Sequence, residues 1–508
     1  MNFKVLQLIA VTLSLMLFAV SCKDYKKNST HKNVPDESIE AGKKLAAQYC
    51  SSCHQLPDPS LLDTKTWELG VLPQMAPRLG IFAYNFHQYP SSVNDPNVGR
   101  NYYPSQPVIS FEQWQNIIDY FTATSPDSLL PAKKSSPIQM NDKLFKAVQP
   151  SFIYPTPATS FISLQPNHQL ITSDVVQQKI LFFNDAMQLT DSLNIKGAVT
   201  DVIQDSGKYI LCNTGILSPN NGKFGSIEIT SASGVDTLFD SLMRPVQLTK
   251  ADLNKDGKDD FVVCEFGNLK GALSWLQYTD TGYVRHVIRA VPGAIHAYIN
   301  DYNHDGLPDI WALFAQGDEG IFLFTNKGNG NFDTKQILQF LPSYGSSSFE
   351  LDDINKDGFA DIIYTCGDNA DYSPVLKPYH GVYIFLNDGK NNFTQKYFYP
   401  VNGCYKAIAR DFDNDGDLDI ATISFFADYT HQPEEGFVYL KNEGNFKFQP
   451  YSLPQTKYGR WLTMDAGDID GDGKIDLVLA NFSVAPSMAK KEIDWTKQPE
   501  FLLLKNIQ

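Results

Sequence analysis

Cysteine is scarce, with seven residues in a chain of 508, too few and too scattered for a disulfide framework. Basic residues are outnumbered, 42 Lys and Arg against 57 Asp and Glu, for a formal net charge of −15. Phosphate binding needs clustered Lys and Arg, so this balance argues against a nucleic-acid partner. Beyond the N-terminus, no apolar run is long enough to span a bilayer. Apolar residues at 43% and charged residues at 19% describe a globular chain and not a disordered one. At this length one ordinary core is insufficient, so two domains or one large repeat architecture is expected.

The first residues carry Lys4, an apolar run from Val5 to Val20, and then Ala19-Val20-Ser21-Cys22. This resembles a bacterial lipobox. The resemblance implies a signal peptide over 1–21, cleavage before Cys22 and a diacyl anchor on that cysteine; the alternative is a plain secretory signal with an incidental cysteine. Residues 22–36, rich in Lys, Asn, Ser and Thr, read as a solvated tether. The expected location is the bacterial cell envelope, lipid-anchored to a membrane and facing the periplasm or the cell surface.

Cys50-Ser51-Ser52-Cys53-His54 is the C-x-x-C-H pattern of covalent haem attachment. Two thiols one helical turn apart can each add to a haem vinyl group, and the next residue then reaches the iron as proximal ligand. A redox C-x-x-C would need a strand leading into it, and here a polar tether leads in. A zinc site would need two more close ligands, but the next cysteine is Cys212. Ser38 to Tyr49 reads as an amphipathic helix. The stretch from Trp67 to Gly80 and the later Phe111 to Thr122 resemble the distal-ligand region and closing helix of small cytochromes c. That resemblance implies a small all-α cytochrome c domain over 37–130 with one haem c, and Met75 as sixth iron ligand. The short gap after His54 and the long segment after Met75 depart from the family pattern, which keeps His87 as the alternative ligand. A linker over 131–142, marked by prolines and polar residues, follows.

From residue 143 onward one motif recurs five times. It reads Asp252, Asn254, Asp256, Lys258, Asp260; Asp301, Asn303, Asp305, Leu307, Asp309; Asp353, Asn355, Asp357, Phe359, Asp361; Asp411, Asp413, Asp415, Asp417, Asp419; and Asp468, Asp470, Asp472, Lys474, Asp476 at positions 1, 3, 5, 7 and 9. Carboxylates and amides at 1, 3 and 5 converge when the loop turns tightly, and the glycine at position 6 permits the turn, which is calcium-loop logic. An EF-hand would close at position 12. Here position 9 is Asp and an apolar strand begins at once, so each loop joins two strands. These repeats resemble the FG-GAP or VCBS repeats of integrin-type β-propellers, implying up to five Ca2+ ions and accounting for the acidity. A second signature, a strand of the type G-x-x-x-L-x-N, occurs seven times from Ile180 to Asn506. It predicts an all-β, seven-bladed propeller over 143–508, with two early blades lacking the loop. Since the chain stops after its last third strand, Lys143 to Gln149 is expected to pair with Glu500 to Asn506 and close the ring.

Five residues before each loop stand Gln247, His296, Ser348, Lys406 and Thr463. As the start of innermost strands they would ring the channel mouth, where His296 and Lys406 are the candidate catalytic residues; strand ends near solvent are also simply polar. Three functions fit. The chain is expected to be an electron carrier whose propeller docks or displays, with a redox protein or a small-molecule electron donor as partner. The alternatives are a quinoprotein-like dehydrogenase and an adhesion or glycan-binding module.

Overall fold

The structure, a computed structural model, describes residues 25–141, 143–151, 153–231, 234–369, 375–484 and 497–508. The signal segment and Cys22 lie outside the described residues. Two compact units emerge. One holds the chain up to Ser52 with Asp58–Pro90 and Pro104–Ser128; the other holds Cys53–Pro57, Ser91–Tyr103 and Leu129–Gln508.

The first unit is built on two helices, Asp36–Tyr49 and Phe111–Thr124. The second starts at a capping box, in which the Ser110 side chain accepts from the Gln113 N–H and the Gln113 side chain accepts from the Ser110 N–H. The two helices cross at Gly42, where an added Cβ would stand 1.8 Å from the Asn116 carbonyl oxygen. Any side chain there would drive them apart. Ile39, Ala46, Trp114, Ile117 and Phe121 are buried, and the Trp67 ring lies 4.4 Å from that of Phe121. The unit is not purely helical, contrary to the all-α expectation. A hairpin, Ala83–Tyr84 with His87–Gln88, turns through Asn85 and Phe86 at positive φ, the backbone that a two-residue hairpin turn demands.

The second unit is a seven-bladed β-propeller. Its seven sheets each contain a four-stranded antiparallel meander, with innermost strands Thr159–Gln165, Val199–Asp205, Pro245–Ala251, Ala294–Asn300, Ser346–Asp352, Cys404–Arg410 and Trp461–Gly467. We number the blades 1 to 7 in that order. Second strands such as Asp309–Phe314 and Asp476–Asn481 are buried at every residue. A blade pressed on both faces by its neighbours needs continuous apolar runs, hence FVVC, IWAL, IIYT, IATI and LVLA. Fourth strands such as Phe332–Gln339 are mostly exposed. Seven apolar clusters fill the seven interfaces between blades, for example Leu273, Trp275, Phe314 and Phe322 between blades 3 and 4 and Phe183, Val478 and Phe501 between blades 7 and 1. Cys212, Cys264, Cys366 and Cys404 are buried in this packing, and none forms a disulfide.

The ring closes as the missing last strand requires. Phe145–Val148 pairs antiparallel with Phe501–Asn506, Phe145 opposite Asn506 and Val148 opposite Leu503. The segment read as a linker does more than connect. Gln139–Met140 adds a fifth, parallel strand to blade 6, and Lys134 meets the buried Glu435 at 2.5 Å. An exposed blade edge offers unpaired backbone groups, and this is what recruits the segment.

Phe145 is 1% exposed and sits edge-on to Phe412 and Tyr439 at 5.7 and 5.6 Å. Phe145→Ala should cost about 3 to 5 kcal/mol of propeller stability, measured by urea unfolding. An unchanged midpoint would mean the closing strand adds nothing.

Candidate metal centres

The five loops fold alike. In the first, the two Asp252 oxygens accept from the Asp256 and Gly257 N–H groups at 3.1 and 2.9 Å, and an Asp256 oxygen accepts from the Lys258 N–H at 2.9 Å. The other four repeat this set around Asp301, Asp353, Asp411 and Asp468. Position 6 stands at φ between +80 and +95 in Gly257, Gly306, Gly358, Gly416 and Gly473, so glycine is required there. Position 4 is also left-handed, in Lys255, His304, Lys356, Asn414 and Gly471. The sequence reading missed this second constraint, since four of these five are not glycine.

Position 9 has two duties. Asp260, Asp309, Asp361, Asp419 and Asp476 have no exposed surface. One oxygen of each accepts from a backbone N–H on the third strand of its own blade, from Tyr278, Asn326, Asn387, Asn442 and Asn506 at 2.7 to 2.8 Å. The other oxygen of Asp260, Asp309 and Asp361 has no hydrogen-bond partner, although it is buried. Burial pushes the Asp361 and Asp476 carboxyls up to about 6 and that of Asp419 to about 7, with neighbouring loop aspartates adding to the rise. Asp260 and Asp309 move in the same direction.

Among the described residues, two groups bring three carboxylates together with ligand oxygens within 4.8 Å of one another: Asp411, Asp413, Asp415 and Asp468, Asp470, Asp476. The donors are all oxygen, the set a hard divalent cation takes. Orphaned buried oxygens beside crowded carboxylates fit such an ion, because it would satisfy both.

The channel residues fall where the spacing predicts, and the structure extends the set. A register-shifting bulge interrupts every innermost strand, and the residue after it is Phe161, Asp201, Gln247, His296, Ser348, Lys406 or Thr463. Charges on blades that do not touch sense one another across the ring. Lys406 of blade 6 lowers both Asp201 of blade 2 and His296 of blade 4. Burial, aided by that lysine, holds His296 down at about 3, so its imidazole is neutral; burial raises Asp201 to about 6.

Three of them, Asp201, Gln247 and Lys406, hold neighbouring blades together. Going round the ring, one innermost strand reaches the backbone of the next at every interface. Asp201 accepts from the Leu248 N–H at 3.0 Å, Gln247 from Ala297 at 2.7 Å, Glu350 from Ala409 at 2.6 Å and Asp465 from Leu164 at 2.8 Å. Tyr298, Lys406 and Ser160 donate to the carbonyls of Phe349, Met464 and Val199 at 3.3, 2.9 and 2.6 Å. Innermost strands are therefore clasped from blade to blade, and Lys406, read as a candidate catalytic residue, is part of the clasp. His296 packs edge-on against Tyr298 and Phe349 at 4.7 and 5.8 Å.

Of the haem-type residues, Cys50 opens a helical turn over Cys50–Ser52 directly after the helix Asp36–Tyr49. Neither Cys50 nor Cys53 forms a disulfide. His54 Nδ1 lies 2.9 Å from the Gln55 carbonyl oxygen. A carbonyl only accepts, so Nδ1 carries a proton, and in the neutral imidazole Nε2 keeps its lone pair. Met75 ends the short helix Leu72–Met75 and is half-buried, whereas His87 is exposed on the hairpin.

A family model for FG-GAP-like repeats matches residues 301–364, which span the second and third loops. No curated protein matches the chain. Solved structures similar to it include a streptogramin B lyase, with 12% identity, a TM-score of 0.46, and coverage of 72% of this chain and 98% of that one. Another is a catalytically inactive virginiamycin B lyase from Staphylococcus aureus with quinupristin, with 12% identity, a TM-score of 0.47, and coverage of 72% and 100%. A third is BBS1N in complex with ARL6DN, with 9% identity, a TM-score of 0.45, and coverage of 73% and 98%.

Without metal, the raised position 9 carboxylates bind a proton more tightly in the folded state than in the unfolded one. Their contribution is therefore complete below about pH 4 and is lost as the pH rises through 6 to 7. In chelator, the melting temperature should climb between about pH 7.5 and about pH 5.5. Calcium should flatten that climb, because an ion takes the proton's place. Identical pH profiles with and without calcium would count against all five loops.

Proposed function

We propose that this chain is an envelope-anchored electron-transfer protein with one covalent haem c, whose calcium-binding propeller is the docking or display scaffold for a redox partner. The observation that carries this reading is the Cys50-Ser51-Ser52-Cys53-His54 motif at a helix end, with two cysteines outside any disulfide and a histidine whose Nε2 is left to bind iron. Cys50 and Cys53 would hold the porphyrin and His54 the iron, with the Gln55 carbonyl fixing the imidazole. When bound, a haem with both axial positions filled supplies one-electron transfer and leaves no open position for oxygen chemistry. Met75 would fill the sixth position, with His87 as the alternative. Cys22 would carry the lipid, and the envelope location follows from it. In the propeller, positions 1, 3, 5, 7 and 9 of each loop would hold calcium at the weak affinities that suffice outside a cell, on the order of 10⁻⁴ to 10⁻³ M. The clasp bonds of Lys406 and the neutral, ring-packed His296 support a carrier over a dehydrogenase, since neither is poised to take a substrate proton.

Expressed with a haem-attachment system, the chain should hold one haem by pyridine haemochrome assay, and Cys50→Ala with Cys53→Ala should hold none. Met75→Ala should lower the reduction potential and remove the weak red charge-transfer band of the ferric form, while His87→Ala leaves both intact. The opposite pattern would assign the ligand to His87. Absence of covalent haem in the parent chain would overturn the carrier reading. With calcium and pyrroloquinoline quinone added, sugars and alcohols should not reduce the haem; reduction that His296→Ala abolishes would put the dehydrogenase in its place.

A further inference from the structure

The five loops are not electrically alike. Position 3 is Asn254, Asn303 and Asn355 in the first three loops and Asp413 and Asp470 in the last two. Each Asn side chain donates to the position 5 carboxylate at 2.8 to 3.0 Å, which relieves part of the crowding inside its loop. Asp413 and Asp470 have no proton to donate. They add a fourth carboxylate to a cluster that already repels itself.

A lysine answers each. The third-strand residue that binds the position 9 aspartate is preceded by Gln277, Thr325 and Leu386 in the Asn-type blades, and by Lys441 and Lys505 in the Asp-type blades. The Lys441 ammonium is paired with Asp413 and lies 4.0 Å from Asp415; that of Lys505 is paired with Asp470. Counting positions 1, 3, 5 and 9 with this neighbour, all five loops reach the same formal charge. Asp413 is the sharpest case. Its side chain is only 5% exposed, and its second oxygen has no hydrogen-bond partner inside the cluster with Asp411 and Asp415.

We propose that Lys441 and Lys505 are tethered cations that divide the loops into two classes: three that rely on a divalent ion, and two that compensate their own charge and admit such an ion only against a resident ammonium. This rests on the calcium reading for its ligand, though not for the lysine contacts. The consequence is a propeller whose blades 6 and 7, which take the strands Gln139–Met140 and Phe145–Val148 from the segment before the repeats, keep their loops in shape at low calcium. Blades 3 to 5 answer to the ion.

The test uses the full chain without its signal, titrated with calcium chloride and followed by calorimetry, with melting curves in chelator. The parent should bind three ions about tenfold more tightly than the other two, since in the Asp-type loops an ion must displace a lysine ammonium already paired with a ligand carboxylate. Lys441→Met with Lys505→Met should tighten the weak pair to at least the level of the rest and lower the melting temperature in chelator. Adding Asp413→Asn and Asp470→Asn recreates the Asn-type arrangement and should restore that temperature, so a double variant that fails to fold in chelator still leaves a decisive comparison. Unchanged affinities and an unchanged melting temperature in the lysine variants would overturn the proposal. If no calcium binds to any form, the calcium reading fails, and the chelator melting curves alone decide whether the lysines act as cations.

Discussion

A buried aspartate with divided loyalties organises each loop-bearing blade. One oxygen of Asp260, Asp309, Asp361, Asp419 or Asp476 holds the third strand; the second accepts from the Tyr439 hydroxyl in Asp419 and from the Ile469 N–H of the loop in Asp476. Burying a carboxylate is expensive unless its lone pairs are met. Backbone N–H groups meet only part of that need in blades 3, 4 and 5, where the second oxygen makes no well-formed hydrogen bond. Loop conformation, the left-handed residues at positions 4 and 6 and the crowding of acids at 1, 3 and 5 all converge on completing that coordination. The sheet and the candidate ion site are thus one device: the residue that would bind the ion is the residue that locks the blade.

The same economy governs the ring. Seven blades pack through seven separate apolar clusters, and hydrophobic contact sets no register by itself. Directional bonds from one innermost strand to the next supply it, one at every interface. This gives Asp201, Gln247 and Lys406 a structural role in the channel. The clasp is chemically mixed, with acids, an amide, a phenol, an ammonium and a hydroxyl in equivalent roles, because a backbone offers both N–H and C=O to whatever faces it. Blade 7 borrows its outer strand from Phe145–Val148, so the last clasp, from Asp465 to Leu164, links the end of the repeat to its beginning.

Much of this was legible in the sequence, for identifiable reasons. Third strands were found through Asn326, Asn387, Asn442 and Asn506, a recurring pattern because the side-chain amide of each donates to the carbonyl just before position 9, of Pro308, Ala360, Leu418 and Ile475. Ring closure followed from a missing strand, since the last blade would otherwise lack the fourth strand that the blades before it have. The channel positions were correctly spaced, but the clasp bonds of Asp201, Gln247 and Lys406 were not foreseen, because a clasp and a catalytic group call for the same residue types. Asp201, Glu350 and Asp465 went unnoticed. Asp201 belongs to a blade without a loop, and the other two lie two residues further along their strands, on the same face. The hairpin in the first unit was missed because Asn85-Phe86 lacks the glycine that usually marks such a turn. Gln139–Met140 read as linker because two residues carry no periodicity, and only the open edge of blade 6 gives them a place.

The meander also sorts function by face. Each acidic loop joins a first strand to a second, so all five lie at one end of the propeller. Connections from second to third strands, and from blade to blade, lie at the other end, and long ones such as residues 214–224 and 425–436 are there. This second face already holds part of the chain. The segment Ser91–Tyr103 belongs to the propeller unit, and Asp95 accepts from the Asn221 amide at 2.8 Å while Tyr102 donates to the Leu269 carbonyl at 3.3 Å. Asn221 in turn accepts from the Asn268 side chain and the Leu269 N–H, so two neighbouring connections and the N-terminal segment share one polar junction. The loops at the first face are held to a common geometry by their aspartates, whereas those at the second are free to differ in length. A docking scaffold needs that division, with repeated chemistry fixing the frame at one end and variable loops setting specificity at the other.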